Sequence, residues 1–529
     1  MVGLVSLIWF LVRVIPKPSR ATYPCQRLAA PLASVFVVWL VGLAGSILAY
    51  RRAIRLFQRS RYLAGWCLLA VAVAAVWWAV SIAGSRGAQA EFVPSELPNS
   101  PIGVARGIHP GRVVWVYEPN AANWDGSTGL WWEDENTDQL MVNRMVSLAI
   151  RDLTGETHDA TAWDALFRHF NRTRGTGDWG YQDGQLVTIK INMNQDDGRM
   201  SSWGLEKGGL PSPQVVYALL DQLIRVVGVP GEMITIYDAS RAIGDPIYNK
   251  VRDSADPNFH RVRFVVRPDE ANDGRLAVIP AEVNPVYFSS PDVPYNGLAY
   301  LPQCVDEADY LINLALLRAH QMAGVTLCGK NHFGSVWFDM AYRYGWHPDP
   351  LHRFVKHRDS HFGDYACLVD LMGHPDLGGK TLLYMIDGLY AAEHQGGPVI
   401  RYVSFDNDWT STLLVSQDPV AIDSVGLDII RNEPGATEDK GAGTENYLHE
   451  AALAHDPPSG TFYDPDSDGE PLASLGVHEH WNNSEERQYS RNLGTGDGIE
   501  LIVTSVSGLD NGTLADADAD RGVQTNSHK

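Results

Sequence analysis

Three apolar runs dominate the first 85 residues of the chain. Residues 29–50 and 62–82 are uncharged and strongly apolar, and each is long enough to cross a hydrocarbon core of about 30 Å, which takes roughly 20 residues. A shorter run over residues 3–15 contains Arg13 and stops at Pro16, so it is a third span, a re-entrant piece or an interfacial helix. The pattern predicts a membrane region over residues 1–85 with transmembrane helices at 29–50 and 62–82.

After residue 110 the apolar pattern alternates between short runs that are typical of buried strands and longer runs with helical spacing. Strands are predicted over residues 111–116, 185–192, 233–237, 310–316, 381–386 and 412–415. Helices are predicted over residues 140–153, 162–171, 212–227 and 419–431. Strands that alternate with helices favour an α/β fold, with a mainly parallel sheet and helices on both faces.

The segments between these elements set the domain boundaries. Residues 86–110 are rich in Pro, Gly and Ser, and they are predicted to form a linker that leads into an α/β domain over residues 111–431. Residues 432–505 are polar, Gly-rich and acidic, so we expect a small irregular extension there. The polar tail 506–529 has too few apolar residues to form a core and is predicted to be disordered.

Charge divides the chain sharply between its first 90 residues and the remainder. Those 90 residues contain ten Lys or Arg and no Asp or Glu, which leaves 32 basic against 63 acidic residues after them. An acidic part of this size argues against nucleic acid as a partner, because phosphate binding needs a basic surface. The basic residues point to a membrane instead, since five arginines lie between the two long apolar runs, at positions 51, 52, 55, 59 and 61.

The arginine cluster also predicts the orientation in the membrane. By the positive-inside rule the loop over residues 51–61 is cytoplasmic, so the second span leaves the cytoplasm and everything after Ser85 is periplasmic or extracellular. Alternatively, residues 59–90 form a signal peptide, because Ala88-Gln89-Ala90 imitates a cleavage site. Both alternatives place the α/β domain outside the cytoplasm. The predicted partner of the chain is the cell membrane, which the N-terminal helices contact.

The segment from Leu311 to Trp337, LINLALLRAHQMAGVTLCGKNHFGSVW, carries the densest set of polar groups. An apolar strand leads directly into six of them: Arg318, His320, Thr326, Lys330, Asn331 and His332. Glycines at 324, 329 and 334 allow the backbone to approach a ligand or to take positive φ, while lysine, amide and imidazole groups supply directed donors. The alternative is a buried strand followed by the start of a solvated helix.

This segment resembles the signature of the family called domain of unknown function 362 (DUF362), in which K-x-H precedes a-G-V-T-l-x-x-K-N-x-f-G. The matching positions are His320, Gly324, Val325, Thr326, Lys330, Asn331, Phe333 and Gly334, with Arg318 where a lysine is usual. Further agreement comes from VTIKINMN at 187–194, ITIYDASR at 234–241, MIDGLY at 385–390 and LLVSQDPVAIDSVG at 413–426. The resemblance covers about residues 140–430 and implies no assigned activity.

Some relatives in that family carry ferredoxin-type cysteine clusters, which implies redox work for those members. This chain has five cysteines, Cys25, Cys67, Cys304, Cys328 and Cys367, and no C-x-x-C pair. We therefore expect no iron–sulfur cluster bound in cis. No Walker A or G-x-G-x-x-G sequence is present, so a nucleotide cofactor has no support.

Polar residues end several predicted strands at the place where open parallel sheets bind ligands, beyond the carboxyl ends of the strands. We predict that these residues converge on one cleft. The candidate catalytic residues are His320, Lys330, Asn331 and Asp387. The candidate ligand-binding residues are Lys190, Asn192, Asp238, Arg241, Arg318, Thr326 and Asp423.

The chemistry of this set suggests two functions. Its lysines and arginines suit an anionic group, while His320 can bind a metal or move protons at neutral pH and the carboxylates can serve as metal ligands or a general base. The first hypothesis is an uncharacterised enzyme with metal- or anion-assisted chemistry, either hydrolytic or redox-associated. The alternative is a non-catalytic binding module for a small anion or an envelope polymer; a scaffold in which the motif only holds the sheet together is the third.

Two further patterns are candidates for metal binding. Asp464, Asp466 and Asp468 followed by Gly469 match the start of a calcium loop, although the twelfth position is Leu475 rather than Glu. This segment is therefore a local calcium site or a loop rich in Asx turns. Four histidines at 347, 352, 357 and 361 form a weaker candidate, for which a solvated helix is the alternative.

Overall fold

The computed structural model describes residues 97–194, 209–294, 296–338, 349–355, 361–436 and 442–508, together with twelve residues between 51 and 70. The chain divides into two compact units, Met1–Glu91 and Phe92–Lys529. The predicted spans 3–15 and 29–50 lie outside the described residues, as do most of the span 62–82 and most of the predicted tail. None of the helices in the described ranges has the length and apolar character needed to cross a membrane.

The strands of the described residues are β1 (Ile102–Gly103), β2 (Arg112–Tyr117), β3 (Val187–Ile191), β4 (Ile234–Tyr237), β5 (Arg263–Val266), β6 (Leu276–Ala277), β7 (Pro280–Val286), β8 (Ala299–Pro302), β9 (Tyr310–His320), β10 (Gly324–Thr326), β11 (Trp337–Phe338), β12 (Thr381–Ala392), β13 (Thr412–Ser416), β14 (Val477–His478) and β15 (Glu500–Thr504). The helices are α1 (Gln139–Thr154), α2 (Asp159–Thr173), α3 (Pro213–Asp221), α4 (Asp245–Arg252), α5 (Gln303–Asp306), α6 (Cys328–Asn331), α7 (Cys367–Gly373), α8 (Pro419–Arg431), α9 (Asn446–Ala452) and α10 (Ser490–Leu493). A π-helical turn, Gln222–Val227, continues α3.

The central sheet has the strand order β15-β2-β13-β12-β9-β3-β4-β5-β6, and β10 pairs with β9 outside that path. Parallel pairing joins β12 to β9, β9 to β3, β3 to β4 and β4 to β5. The strands β3, β9 and β12 are buried along their whole length, as expected for parallel strands covered on both faces. The predicted α/β class with a mainly parallel sheet is confirmed.

One predicted parallel strand runs in the opposite direction. β13 is antiparallel to both of its neighbours, β12 and β2. The chain between β12 and β13 returns directly, without the crossover helix that a parallel connection requires. Because Ser416 pairs with Tyr384 near the start of β12, α8 begins at the opposite edge of the sheet from the carboxyl ends of β9 and β12.

Two apolar clusters cover the two faces of the sheet. On one face, α1, α2 and α3 pack against side chains such as Ile189, Ile312 and Leu314. On the other face, α7, α8 and α9 pack with residues of β9 such as Ala315 and Leu317. The motif segment with α6 belongs to the second face, so its polar groups lie against buried strands.

The segments on either side of the predicted domain 111–431 are ordered and contact that domain. In the region predicted as a linker, β1 pairs with β14, and the backbone N–H of Arg106 donates to Asp418 at 2.9 Å. In the region predicted as an irregular extension, β15 adds a parallel edge strand next to β2. The sequence analysis missed β15 although Leu501-Ile502-Val503 is an apolar run, because the polar, Gly-rich residues around it favoured an irregular segment.

Candidate functional site

A cleft with an empty volume of about 450 Å³, including its open mouth, lies at the carboxyl ends of β3, β4 and β9. It is lined by residues from four parts of the chain: Lys190, Asn192, Asn194, Asp238, Ser240, Arg241, His320, Thr326, Lys330, Asn331, Phe333, Gly334 and His352. Eight of the eleven predicted catalytic and ligand-binding residues line this cleft; Arg318, Asp387 and Asp423 do not. Parallel strands bring the eight together because their carboxyl ends meet at one edge of the sheet.

A buried ion pair forms the floor of the cleft. Lys190 Nζ lies 3.1 Å from Asp238 Oδ2 and 3.2 Å from Asn331 Oδ1, and it also donates to the carbonyl of Ile191 at 2.5 Å. Asp238 accepts from the backbone N–H groups of Met193 and Ser240, both at 3.0 Å. Burial raises the pKa of Asp238, but the ammonium and these hydrogen bonds outweigh burial and hold that pKa below its usual value.

Asn331 connects the motif segment to the sheet. Its Nδ2 donates to Asn313 Oδ1 at 2.8 Å, to the Leu314 carbonyl at 3.2 Å and to the Lys190 carbonyl at 3.3 Å. Its Oδ1 accepts from Lys190. Since both ends of the amide are occupied, Asn331 positions α6 across β3 and β9 and is poorly placed to act on a ligand.

Asp423 on α8 holds the other end of α6. Its two oxygens accept from the backbone N–H groups of Cys328 and Gly329, each at 2.8 Å, and from the Tyr447 hydroxyl at 2.9 Å. Burial raises the pKa of Asp423 to about 6, and these donors lower it in part. Asp423 therefore supports the motif from behind and does not line the cleft.

Glycine leaves room where the motif approaches the ion pair. A Cβ added at Gly334 would lie 3.1 Å from Lys190 Nζ and 3.2 Å from Asp238 Oδ1. A second glycine, Gly324, has φ of +81° in the turn between β9 and β10, where a Cβ would collide with Thr444 at 2.3 Å. Side chains are disfavoured at both positions, by crowding at the first and by crowding and backbone strain at the second.

Lys330 is a buried cation of a different kind from Lys190. Its Nζ lies over the Phe333 ring, 3.4 Å from the centroid, and among the described residues no hydrogen-bond acceptor or carboxylate pairs with it. Burial lowers the pKa of Lys330 to about 7, and the positive charges of Arg241 and Lys190 act in the same direction. Amine and ammonium forms of Lys330 are thus present in comparable amounts at neutral pH.

Two more polar groups near the cleft lack a full set of partners. Arg318, 1% exposed, donates from Nη1 to the Gly209 carbonyl and from Nη2 to Asn192 Oδ1 at 3.1 Å. Burial lowers the pKa of Arg318 to about 9. The hydroxyl of Thr326 is also buried, and it has no hydrogen-bond partner within the described ranges.

His320 has a defined tautomer. Its Nδ1 accepts from the backbone N–H groups of Met322 and Ala323, both at 3.1 Å. An imidazole nitrogen that accepts carries no proton, so the proton of the neutral ring is on Nε2. His320, one of the residues that line the cleft, is therefore a hydrogen-bond donor through Nε2 when its ring is neutral.

Asp387, a predicted catalytic residue, lies elsewhere. Its Oδ2 accepts from the Ser212 N–H at 2.6 Å and its Oδ1 from the Leu389 N–H at 3.1 Å, and burial raises its pKa. Asp387 thereby holds the start of α3 against β12. It was predicted to follow a strand that ends at residue 386, but it lies inside β12, where it accepts from a helix N-terminus and does not line the cleft.

Five lining residues were not among the predicted site residues: Asn194, Ser240, Phe333, Gly334 and His352. The first four lie inside the matching motifs, so the motifs carried a signal for them. His352 packs on Phe333, with 5.1 Å between ring centroids, but only the fold shows that its loop reaches the cleft. Of the other histidines in that run, His361 is exposed, and His347 and His357 lie outside the described residues.

Asp238 is the only carboxylate that lines the cleft within the described ranges, and both its oxygens are already hydrogen-bonded. Groups of three side chains that could hold a metal ion occur at two other places in the described chain, Asp464-Asp466-Asp468 and Glu445-His478-His480. In the cleft itself, cations predominate. Its donor set fits an anion better than a divalent metal.

These features define an α/β protein with a small, cation-rich cleft at the carboxyl ends of parallel strands. Residues 187–428 match the family described as Domain of unknown function (DUF362). The match spans β3 to β13 and most of α8, and it supports the family that the motifs indicated. Searches of curated proteins and of solved structures found no match.

The Lys190–Asp238 pair generates a stability prediction. Asp238→Asn leaves the Lys190 ammonium buried without a counter-charge, which destabilises proteins by about 3–5 kcal/mol. We expect a loss of that size in the free energy of unfolding, measured by urea denaturation. Lys190→Met combined with Asp238→Asn should recover a large part of it, because the double change leaves no unpaired charge.

The matched control is Asp164→Asn on α2, whose partner Arg168 lies 2.6 Å away. Both side chains of that pair are about half exposed, so we expect a loss of less than about 1 kcal/mol. Equal losses in the free energy of unfolding for Asp238→Asn and Asp164→Asn would show that the Lys190–Asp238 pair stabilises the fold no more than an exposed ion pair does.

Proposed function

We propose that the DUF362 domain binds the anionic group of a small ligand in this cleft and that the cleft is the active site of an enzyme with anion-assisted chemistry. Lys330 supports the proposal most directly. A buried ammonium without an acidic partner is costly, and a bound carboxylate, phosphate or sulfate group would supply the missing negative charge. The surrounding part of the chain is strongly acidic, so a cationic cleft is a local arrangement and not an average property of its surface.

The cleft also contains groups that suit proton transfer. Lys330, with a pKa of about 7, can accept a proton as an amine or donate one as an ammonium near neutral pH. His320 lines the same cleft, and its neutral ring carries the proton on Nε2, so it adds a hydrogen-bond donor to the residues around the cleft. Arg241 and the Lys190–Asp238 pair would orient the anionic group.

The second candidate function is a binding module that captures a small anion or an anionic envelope polymer without reacting with it. The hydrogen-bonded state of Asp238 favours it, because that carboxylate is not free to act as a base. The two functions differ in what they need from Lys330. Lys330→Arg preserves a positive charge that cannot be lost near neutral pH, so it would retain capture but would abolish proton transfer.

Anion binding should depend on pH through Lys330. Sulfate stays fully ionised between pH 5 and 9, and it should bind best below pH 7, where Lys330 is an ammonium. As pH rises through the pKa of about 7 the charge is lost, and we expect the affinity to fall on the order of tenfold by pH 8.5, since one pKa unit corresponds to a tenfold change. Isothermal titration calorimetry with sodium sulfate at constant ionic strength measures this.

Lys330→Met should weaken sulfate binding and flatten its pH dependence, since an uncharged side chain replaces the titrating one. Lys250→Met is the control, because Lys250 lies outside the cleft in a pair with Asp134. Undetectable sulfate binding by the wild type at pH 6, or an unchanged pH profile in Lys330→Met, would contradict the proposal.

We propose further that residues 1–85 anchor the chain in the cell membrane and that the DUF362 domain lies outside the cytoplasm. Two observations support this: the uncharged apolar runs at 29–50 and 62–82, and the five arginines between them. Short basic loops next to spans stay on the cytoplasmic side. An envelope component would then be within reach of the cleft.

Reporter fusions test this orientation. Alkaline phosphatase fused after Asn511 should be active, because that enzyme matures only outside the cytoplasm, and the same reporter fused after Ser60 should be inactive. Green fluorescent protein should give the opposite pattern. A fluorescent fusion after Asn511 would contradict the export of the domain.

Calcium binding at Asp464, Asp466 and Asp468 is a separate proposal. One oxygen from each carboxylate lies within 4.8 Å of the others. Partial burial and the neighbouring carboxylates Asp468 and Asp464 raise the pKa of Asp466, and a cation would relieve that repulsion. Hydrogen bonds from Asp468 and Gly469 N–H groups to Asp464 also fit an Asx-type turn without calcium, so the site needs a direct test.

Calcium at millimolar concentration should raise the thermal midpoint of the full-length protein by a few degrees, because a ligand of the folded state stabilises it by mass action, with about 2.7 kcal/mol at 100 times Kd. Asp466→Ala with Asp468→Ala should abolish the increment, and Asp497→Ala at an exposed position should leave it unchanged. Differential scanning calorimetry measures the midpoint. If calcium does not shift the thermal midpoint of the wild type, the loop is an Asx-type turn that binds no calcium.

A further inference from the structure

A second polar cluster lies outside the cleft and is wholly buried. It consists of Glu445, which directly precedes α9, and of His478 and His480 in the segment around β14. These three residues are at most 1% exposed, and one potential ligand atom from each lies within 4.8 Å of the others. Two imidazoles and a carboxylate at this separation make up a common ligand set for zinc.

The hydrogen bonds of His478 determine which of its nitrogens faces the cluster. The Ser424 hydroxyl donates to the Val420 carbonyl at 2.7 Å, so its oxygen accepts from His478 Nδ1 at 2.8 Å. The proton of a neutral His478 is therefore on Nδ1, and Nε2 carries a lone pair. That Nε2 is buried and has no hydrogen-bond partner among the described residues.

His480 is oriented by a carboxylate on its other nitrogen. Its Nδ1 lies 2.6 Å from Asp428 Oδ1, and its Nε2 lies 3.1 Å from Glu445 Oε2. This is the arrangement of metal-binding histidines, in which an outer carboxylate fixes the ring and raises the basicity of the ligating nitrogen. Tyr489 donates to the same Asp428, at 2.9 Å, which fixes the outer carboxylate in turn.

Hydrogen bonding within the chain does not account for the whole cluster. Arg431 Nη1 and His480 Nε2 satisfy Glu445 Oε2, but the lone pair of the buried His478 Nε2 has no hydrogen-bond donor among the described residues. A buried acceptor in this position needs a donor or a cation. A divalent cation bound to His478 Nε2, His480 Nε2 and Glu445 would supply it, and the proton on His480 Nε2 would leave on binding.

We propose that Glu445, His478 and His480 form a binding site for a zinc-class divalent cation, separate from the cleft. The ion would connect three parts of the chain: α8, which carries Ser424 and Asp428, the start of α9, and the segment around β14. Its fourth coordination position is left for water or a further donor. Because Thr444 packs against Gly324 in the β9–β10 turn, the site also supports the hairpin that carries His320.

The test uses the full-length protein, purified without a histidine tag and stripped with a chelator. Cobalt(II) added in the presence of millimolar calcium should give the visible absorption of a nitrogen- and oxygen-ligated ion at one equivalent per chain. Zinc should displace it, and elemental analysis after dialysis should find one zinc per chain. Calcium competes for sites made of oxygen ligands, and the variant with Asp466→Ala and Asp468→Ala removes the Asp464 loop as a source of the signal.

His478→Gln should weaken cobalt and zinc binding by at least an order of magnitude. Loss of an outer partner of a ligand already lowers metal affinity by about 10- to 100-fold, and loss of a ligand itself costs at least as much. His374→Gln is the matched control: His374 is also buried, and its Nε2 likewise has no partner in the described part of the chain. Circular dichroism establishes that both variants are folded. Equal cobalt spectra and affinities for wild type and His478→Gln would overturn the proposal.

If His478→Gln does not fold, the wild type decides the question alone. X-ray absorption of its zinc form should show imidazole scattering from two histidines, and zinc should raise its thermal midpoint. A folded wild type that binds neither cobalt nor zinc at micromolar concentration, or that binds zinc without imidazole scattering, would overturn the proposal.

Discussion

The buried ion pair between Lys190 and Asp238 is the interaction on which the cleft depends. It joins the carboxyl ends of β3 and β4, and through Asn331 it also fixes α6 to β9. A buried pair is maintained only if further hydrogen bonds satisfy the remaining donors and acceptors. Here both partners are fully hydrogen-bonded, so the pair holds the floor of the cleft in place. The polar side chains above it have fewer hydrogen-bond partners.

Those less satisfied groups are what distinguish a ligand site from a structural network. Asn331, Asp423 and Asp387 have their side-chain oxygens or amide occupied by the protein itself, and each holds a segment in place. Lys330 and Thr326 are buried with unfilled hydrogen-bonding capacity. The family motif thus contains two kinds of residue, supports and ligand-facing groups, although both kinds look alike in the sequence.

Helix α8 connects the two proposed sites. Asp423 on this helix holds α6 beneath Lys330, while Ser424 and Asp428 orient His478 and His480. Because β13 is antiparallel, α8 begins at the far edge of the sheet and runs across the face behind the motif. A change in the packing of α8 would therefore affect both the cleft and the polar cluster of Glu445, His478 and His480. A cation bound in that cluster would in turn stabilise α8.

The sequence by itself determined the α/β class, most central strands and helices, and the motif residues that line the cleft. Buried parallel strands and amphipathic helices have strong local periodicity, and polar residues after such strands must lie at one edge of the sheet. Only the tertiary structure decided the direction of β13, the place of β15 in the sheet and the meeting of His352 with Phe333. Likewise, it alone brought Glu445 to His478 and His480. These features depend on pairings between distant segments, for which a single sequence has no local signal.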